Sequence, residues 1–288
     1  AGLDAHPSKL SQAVDGTPSN NRDTTYTYDY RNRMTASVVS DEVDSVTRPY
    51  ITIQGYDNLS RVTLTATYHT SYSSGSPNNN LITRSTSAYD NRGRVYETKQ
   101  YGDTGSEATA QLSQTWYDAS GNVVRQEGAG SETFVVTNYN SQNRPTTTFI
   151  GYVPGSSSSS SSSSSSTFDP SDVSGSVIVE QTEQSYDQGG NTIATVNRAR
   201  FDDAVGLGTL GTPSVAPKAR VSYSGMYPDA IGRPQAGVNV GTYGGSAWPR
   251  PTTIPTRSDT VLVNSFEYDS SGKRVATIDP AGRVDKTS

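Results

Sequence analysis

Apolar and polar residues alternate along much of this chain. Ile51-Thr52-Ile53-Gln54-Gly55-Tyr56 and Arg61-Val62-Thr63-Leu64-Thr65-Ala66-Thr67-Tyr68 place apolar side chains on every second position, the period of a strand with one buried face and one wet face. The longest aliphatic runs are trios such as Val177-Ile178-Val179 and Val261-Leu262-Val263. No window longer than ten residues combines helical periodicity with caps. The pattern predicts a nearly all-β chain of hairpins.

One punctuation recurs between the strands. Tyr28-Asp29-Tyr30-Arg31-Asn32-Arg33-Met34 is followed by Tyr56-Asp57-Asn58-Leu59-Ser60-Arg61-Val62, Tyr89-Asp90-Asn91-Arg92-Gly93-Arg94-Val95 and Tyr117-Asp118-Ala119-Ser120-Gly121-Asn122-Val123. Looser copies start at Tyr139-Asn140, Tyr186-Asp187, Tyr227-Pro228-Asp229 and Ile278-Asp279, and the copy Tyr268-Asp269-Ser270-Ser271-Gly272-Lys273-Arg274-Val275 reads as stretched by one residue. Tyr28, Tyr56, Tyr89, Tyr117 and Tyr139 are separated by 28, 33, 28 and 22 residues.

Asp after a strand-final Tyr bonds backbone amides two residues on, and Gly or Asn three residues later takes positive φ. The expected connection is a type I turn closed by a left-handed residue that forms a bulge. Its residues are Tyr28 and Asp29; Tyr56 and Asp57; Tyr89, Asp90, Gly93 and Arg94; Tyr117, Asp118 and Gly121; Tyr186 and Asp187; Tyr268, Asp269 and Gly272; and Asp279 with Gly282.

These motifs resemble the YD repeats of the Rhs family, shared with teneurins and toxin-complex shells. The resemblance covers residues 26–145 well and 180–288 loosely. It implies a repetitive β-hairpin spiral, an open-ended shell segment or filament, in a family whose sheets often close into a cocoon around a toxic C-terminal domain. Members that release cargo end their repeats with a segment containing Asp-Pro-x-Gly and further Gly and Asn. Here Asp279-Pro280-Ala281-Gly282 is followed by Arg283-Val284-Asp285-Lys286, which reads as one more ordinary repeat.

Composition sharpens this picture. Only 31% of the 288 residues are hydrophobic, and with the 26 Gly counted the chain still falls below the roughly 45–50% of an ordinary soluble domain. Yet 18 Tyr among 25 aromatic residues argue against disorder. A sheet one layer thick needs one apolar row per strand, and the repeat tyrosines are expected to stack on one another along it as a substitute core, each burying roughly 150–250 Å². Lys and Arg number 23 against 28 Asp and Glu, which gives no basic stripe for nucleic acid. Cysteine is absent, which excludes disulfides, thiolate chemistry and cysteine zinc sites. No aliphatic run approaches the roughly 20 residues of a membrane helix.

The expected organisation is an N-terminal extension over 1–25, which reads as a processed or excised end, and YD-repeat hairpins over 26–150. A Ser-rich linker or insertion over 151–176 contains eleven consecutive serines. A further hairpin covers 177–200, Gly/Pro-rich irregular repeats with loops and edges cover 201–260, and terminal YD hairpins cover 261–288. Candidate glycosylation positions are Ser156, Ser160 and Ser166 in the serine tract and Asn58 in the sequon Asn58-Leu59-Ser60.

Candidate chemistry is sparse. His6 and His69 lie more than sixty residues apart without ligand spacing. The Asp residues recur as many similar copies, which suits turns better than a catalytic dyad of two special copies. No catalytic residue, metal or cofactor is expected. The function expected is a non-enzymatic scaffold, secreted or at a cell surface. It self-associates through sheet edges into a fibre, or walls a shell around cargo. A carbohydrate-binding adhesin using Trp248 or Tyr243 is the alternative of a different class.

Overall fold

The computed structural model describes residues 8–13, 21–43, 46–69, 81–102, 105–155, 168–211 and 218–286. They form 18 strands and two short 3-10 turns, and every ladder between strands is antiparallel. The chain is all-β, as the alternation predicts.

Two compact units divide the chain, residues 1–115 with 128–131 and residues 116–127 with 132–288. The first holds β1 (Ser8–Ala13), β2 (Asn21–Tyr28), β3 (Met34–Val43), β4 (Val46–Tyr56), β5 (Val62–His69), β6 (Leu81–Tyr89), β7 (Val95–Tyr101) and most of β8 (Gln111–Tyr117). Each strand pairs with the next from β1 through β8. The expected extension over 1–25 therefore includes a paired strand: Ser8–Ala13 lies antiparallel to Asn21–Tyr26.

The second unit holds β9 (Val123–Glu127), β10 (Thr133–Tyr139), β11 (Pro145–Tyr152), β12 (Val177–Tyr186), β13 (Thr192–Arg200), β14 (Ala219–Pro228), β15 (Pro234–Gly241), β16 (Leu262–Tyr268), β17 (Arg274–Ile278) and β18 (Val284–Lys286). These also pair in chain order. In neither unit does the last strand pair back with the first among the described residues.

The single-layer expectation fails in the second unit. Phe134, Val136, Phe149 and Ile178 on the strands bury themselves against Val173 and Leu210, which lie on inter-strand segments. A second cluster joins Val221, Tyr223, Tyr227, Ala236, Val238, Val240 and Val263, with Trp248 packed against it. The segments between hairpins fold back over one sheet face and supply a second layer. Where 201–260 was expected to be irregular, β14 pairs on both sides and alternates buried with less buried residues along its length. Its Pro residues occupy permitted places: Pro228 ends β14 at a bulge and Pro234 opens β15. The serine tract at 156–166 lies outside the described residues, and so do Ser156, Ser160, Ser166 and His6.

Candidate functional site

The repeated turn is the feature with the most chemistry, and it has one geometry throughout. The Asp29 N–H donates to the Arg33 carbonyl and the Asn32 N–H to the Asp29 carbonyl, both at 2.9 Å. The same pair of bonds closes the turns beginning at Asp57, Asp90, Asp118, Asn140, Asp187, Asp229, Asp269 and Asp279. The residue three after each of these has positive φ: Asn32 59°, Ser60 64°, Gly93 82°, Gly121 103°, Asn143 59°, Gly190 91°, Gly232 88°, Gly272 84° and Gly282 83°. A register shift falls at Tyr28, Tyr56, Tyr89, Tyr139, Tyr186 and Tyr268, which is a type I turn with a bulge.

The Asp carboxylate holds the turn from inside. Asp57 Oδ1 accepts the Leu59 and Arg61 N–H groups, each at 2.9 Å, while Oδ2 accepts Arg61 Nε at 2.6 Å. Asp29 with Arg33, Asp90 with Arg94, Asp229 with Arg233 and Asp279 with Arg283 repeat the grip. Both oxygens are therefore committed to turn bonds. The hydrogen bond from the Arg33 guanidinium holds Asp29 below the ordinary carboxylate pKa, and at Asp57 the Arg61 backbone N–H leads. At Asp90 desolvation pushes upward hardest, yet the bonds from Arg94 together outweigh it and the pKa ends lowered.

The repeats are also tied in series. Arg33 Nη1 donates to the Asp57 carbonyl at 3.0 Å, and its guanidinium lies over the Tyr56 ring, 4.7 Å from the centroid. The Tyr56 hydroxyl returns a bond to the Met34 carbonyl at 2.7 Å. Arg61 does the same to Asp90 and Tyr89, with Tyr89 donating to the Val62 carbonyl. Arg144 repeats it on Asp187 and Tyr186, and Arg233 covers Tyr268, which donates to the Pro234 carbonyl. A guanidinium, and not another tyrosine, covers each of these rings. Its delocalised charge favours the electron-rich ring face while its N–H groups point in plane toward carbonyls.

Departures from the motif have specific consequences. At Asn122 the shorter amide grips Asp118 Oδ2 at 2.8 Å and reaches Asn143 Oδ1 of the next turn at 2.9 Å. At Asn140, an Asn replaces the Asp: its Oδ1 still accepts the Gln142 and Arg144 N–H groups. Arg144 Nε is buried without a partner, because the second acceptor oxygen of an Asp is an NH₂ in Asn.

Tyr227 is not a repeat tyrosine. Pro228 pairs with Pro234 in the slot that Tyr56 and Tyr186 occupy elsewhere. This one-residue offset turns Tyr227 to the opposite face, where it joins the second cluster with its hydroxyl unpartnered. The 268 copy is not stretched: Tyr268 pairs with Arg274, and the Lys273 N–H bonds Asp269 Oδ1 at 2.8 Å, as Arg61 does with Asp57. Lys273 takes the arginine's place and Arg274 the apolar one.

Other candidate residues are scattered. Asn58 is exposed, and its carbonyl accepts Arg31 Nη1 at 2.9 Å. His69 packs edge-to-face on Tyr50, with centroids 5.2 Å apart. The Trp248 ring lies on Gly225 so closely that a Cβ there would sit 2.7 Å from it. Among the described residues there is no His, Asp and Glu group that could hold a metal, and no helix long and apolar enough to cross a membrane. At the edge, β18 is exposed and Arg283 keeps its grip on Asp279 with 84% of its side chain accessible, against 26% for Arg61.

No family model and no curated protein matches the chain. Among solved structures it is similar to a chain of the TcdB2-TccC3-TEV crystal structure, at 11% identity and a TM-score of 0.24, with 96% of this chain and 22% of that one covered. It is also similar to a chain of the Photorhabdus luminescens Tc holotoxin pore, at 11% identity and a TM-score of 0.19, with 98% of this chain and 20% of that one covered. The chain thus spans about a fifth of the length of these solved chains.

Proposed function

We propose that the chain is a non-enzymatic structural scaffold of YD/Rhs-repeat type, working outside the cell or at its surface as a wall segment of an Rhs-type shell. The observation that carries this reading is the serial tie: in the first unit Arg33 and Arg61, each anchored by its own Asp, cover the next repeat's Tyr and bond the next turn's carbonyl, and in the second unit Arg144 and Arg233 cover the next repeat's Tyr in the same way. Such a tie fixes the spacing of hairpins, which is the requirement of a wall. The repeat carboxylates that an Arg or Asn grips spend both oxygens on turns, which leaves them unsuited to proton transfer.

A second form is strand addition at an open sheet edge, leading to a fibre, because the described strands pair in chain order without closing on themselves. Electron microscopy of the purified protein tests both. Hollow particles support the wall, regular fibres support edge addition, and small solid monomers at all concentrations overturn the scaffold. Peptide mass spectrometry over 152–167 and around Asn58 tests for attached glycans.

A further inference from the structure

Tyr243 stands apart from every other residue with a left-handed backbone. Among the described residues four non-glycines have positive φ, and Asn32, Ser60 and Asn143 all fill the repeat-turn slot. The fourth is Tyr243, at φ 48°, in the segment after β15. A bulky residue in this region is strained. Its neighbours Gly241, Gly244 and Gly245 are also left-handed, so glycine takes the other left-handed positions of this segment. The Tyr243 ring does not repay the strain by burial, since the residue is 42% exposed. Strain retained at an exposed aromatic points to a surface task.

The surroundings define that task. Tyr243 lines an open cleft of about 440 Å³ with Asn239, Thr242, Asp259, Thr260 and Leu262. Leu262 is 43% exposed and extends the apolar surface. Thr242 precedes the short 3-10 turn without a side-chain capping bond. The turn carrying Asp259 is closed by backbone bonds between Ser258 and Val261 and by Ser258 Oγ. Asp259 and Thr242 are both exposed, and their side-chain polar atoms are not what holds their own turns.

We infer that this cleft is a saccharide-binding site: the C–H face of a neutral sugar ring stacks on Tyr243, and its hydroxyl groups bond the Asp259 carboxylate and the Thr242 hydroxyl. A flat aromatic face beside a strong acceptor and a hydroxyl matches a pyranose, which is apolar across one face and rimmed with donors. The carboxylate disfavours phosphate or another anion. This site is independent of the scaffold reading and of the fate of that reading.

The test is binding of the full chain to a panel of neutral mono- and oligosaccharides, followed by calorimetry on the best binder with three variants. Tyr243→Gly relaxes the backbone while removing the ring, so the melting temperature is expected to rise by about 2 °C while affinity falls about tenfold or more. Tyr243→Phe keeps binding within about threefold, because the stacking face is retained. Asp259→Asn weakens it about tenfold, as loss of a charge-assisted bond should. The inference is overturned if no saccharide binds, if Tyr243→Gly binds as well as the parent, if that variant melts lower, or if choline is preferred over every sugar.

Discussion

The two units use one turn and two different ways of burying surface. In the first, the buried apolar residues among those described are Ala66, Tyr68, Leu81 and Tyr101, and Arg84 and Glu107 dress the last of these through its ring and hydroxyl. In the second, fifteen apolar residues are buried among those described, and Val173, Leu210 and the half-buried Trp248 reach the sheet from segments between strands. Among the described residues, the second layer lies where an inter-repeat segment carries an apolar residue back onto the sheet. The division at Thr115/Trp116, and not at the serine tract, follows from this. Phe168 packs on Trp116 and Arg125, and Val173 enters the cluster of β10 and β11, so the flanks of the insertion belong to the second unit.

The largest expected effect is one that both units share. The turn carboxylates have pKa values below the ordinary carboxylate value. Their stabilisation is present above about pH 4 and is lost as pH falls through the lowered folded values, because the unfolded chain takes up protons first. Melting temperature should be flat from pH 7 to about 5 and fall steeply below about 4. Hydrogen exchange should show both units failing together, and retention of one set of turns at pH 2 would break the equivalence.

Next comes a change that separates them. Leu210 is 1% exposed and its N–H donates to Gln181 Oε1 at 2.9 Å. Leu210→Ala should cost about 3 kcal/mol by cavity formation. Both tryptophans lie in the second unit, so fluorescence-detected denaturation should shift while exchange in residues 21–101 stays unchanged.

Two smaller substitutions examine the shared turn. Tyr89→Phe in the first unit and Tyr139→Phe in the second each delete one hydroxyl bond, to the Val62 carbonyl at 2.8 Å and the Val123 carbonyl at 3.0 Å. Each should cost about 1 kcal/mol in urea denaturation. A difference beyond twofold would show that the cores alter the turns. Asn140→Asp should have the smallest effect, a gain of roughly 0.5–1 kcal/mol at neutral pH by giving Arg144 Nε an acceptor. The gain should vanish at pH 3, which differential scanning calorimetry at the two pH values would detect.

Much of the turn was legible in the chain itself. Asp followed three residues later by Gly, Asn or Ser demands a left-handed residue at that spot, and the one-for-one alternation around it demands strands. The partner of the arginine was not legible, because spacing places Arg61 beside Asp57 but says nothing of which neighbouring hairpin its far nitrogens meet. Tyr227 could have been placed: the alternation Val221, Tyr223, Gly225, Tyr227 assigns it to the apolar face, and an inserted Pro228 takes the repeat slot. Leu210 and Val173 had no local signal, since their burial depends on segments returning across tens of residues.

The arginine arm points only one way along the chain. Arg61 grips Asp57 within its own turn and then extends to Tyr89 and Asp90, while Tyr89 reaches back to Val62. Each hairpin thus docks on groups that were synthesised before it. A ribosome emitting this chain delivers each new turn to a finished docking surface, so the unit can grow like masonry, one course laid on the last. In the first unit, truncation would leave the turn ties of the earlier courses in place, whereas damage to an early arginine would unsettle its own turn and the course above it and spare the one below.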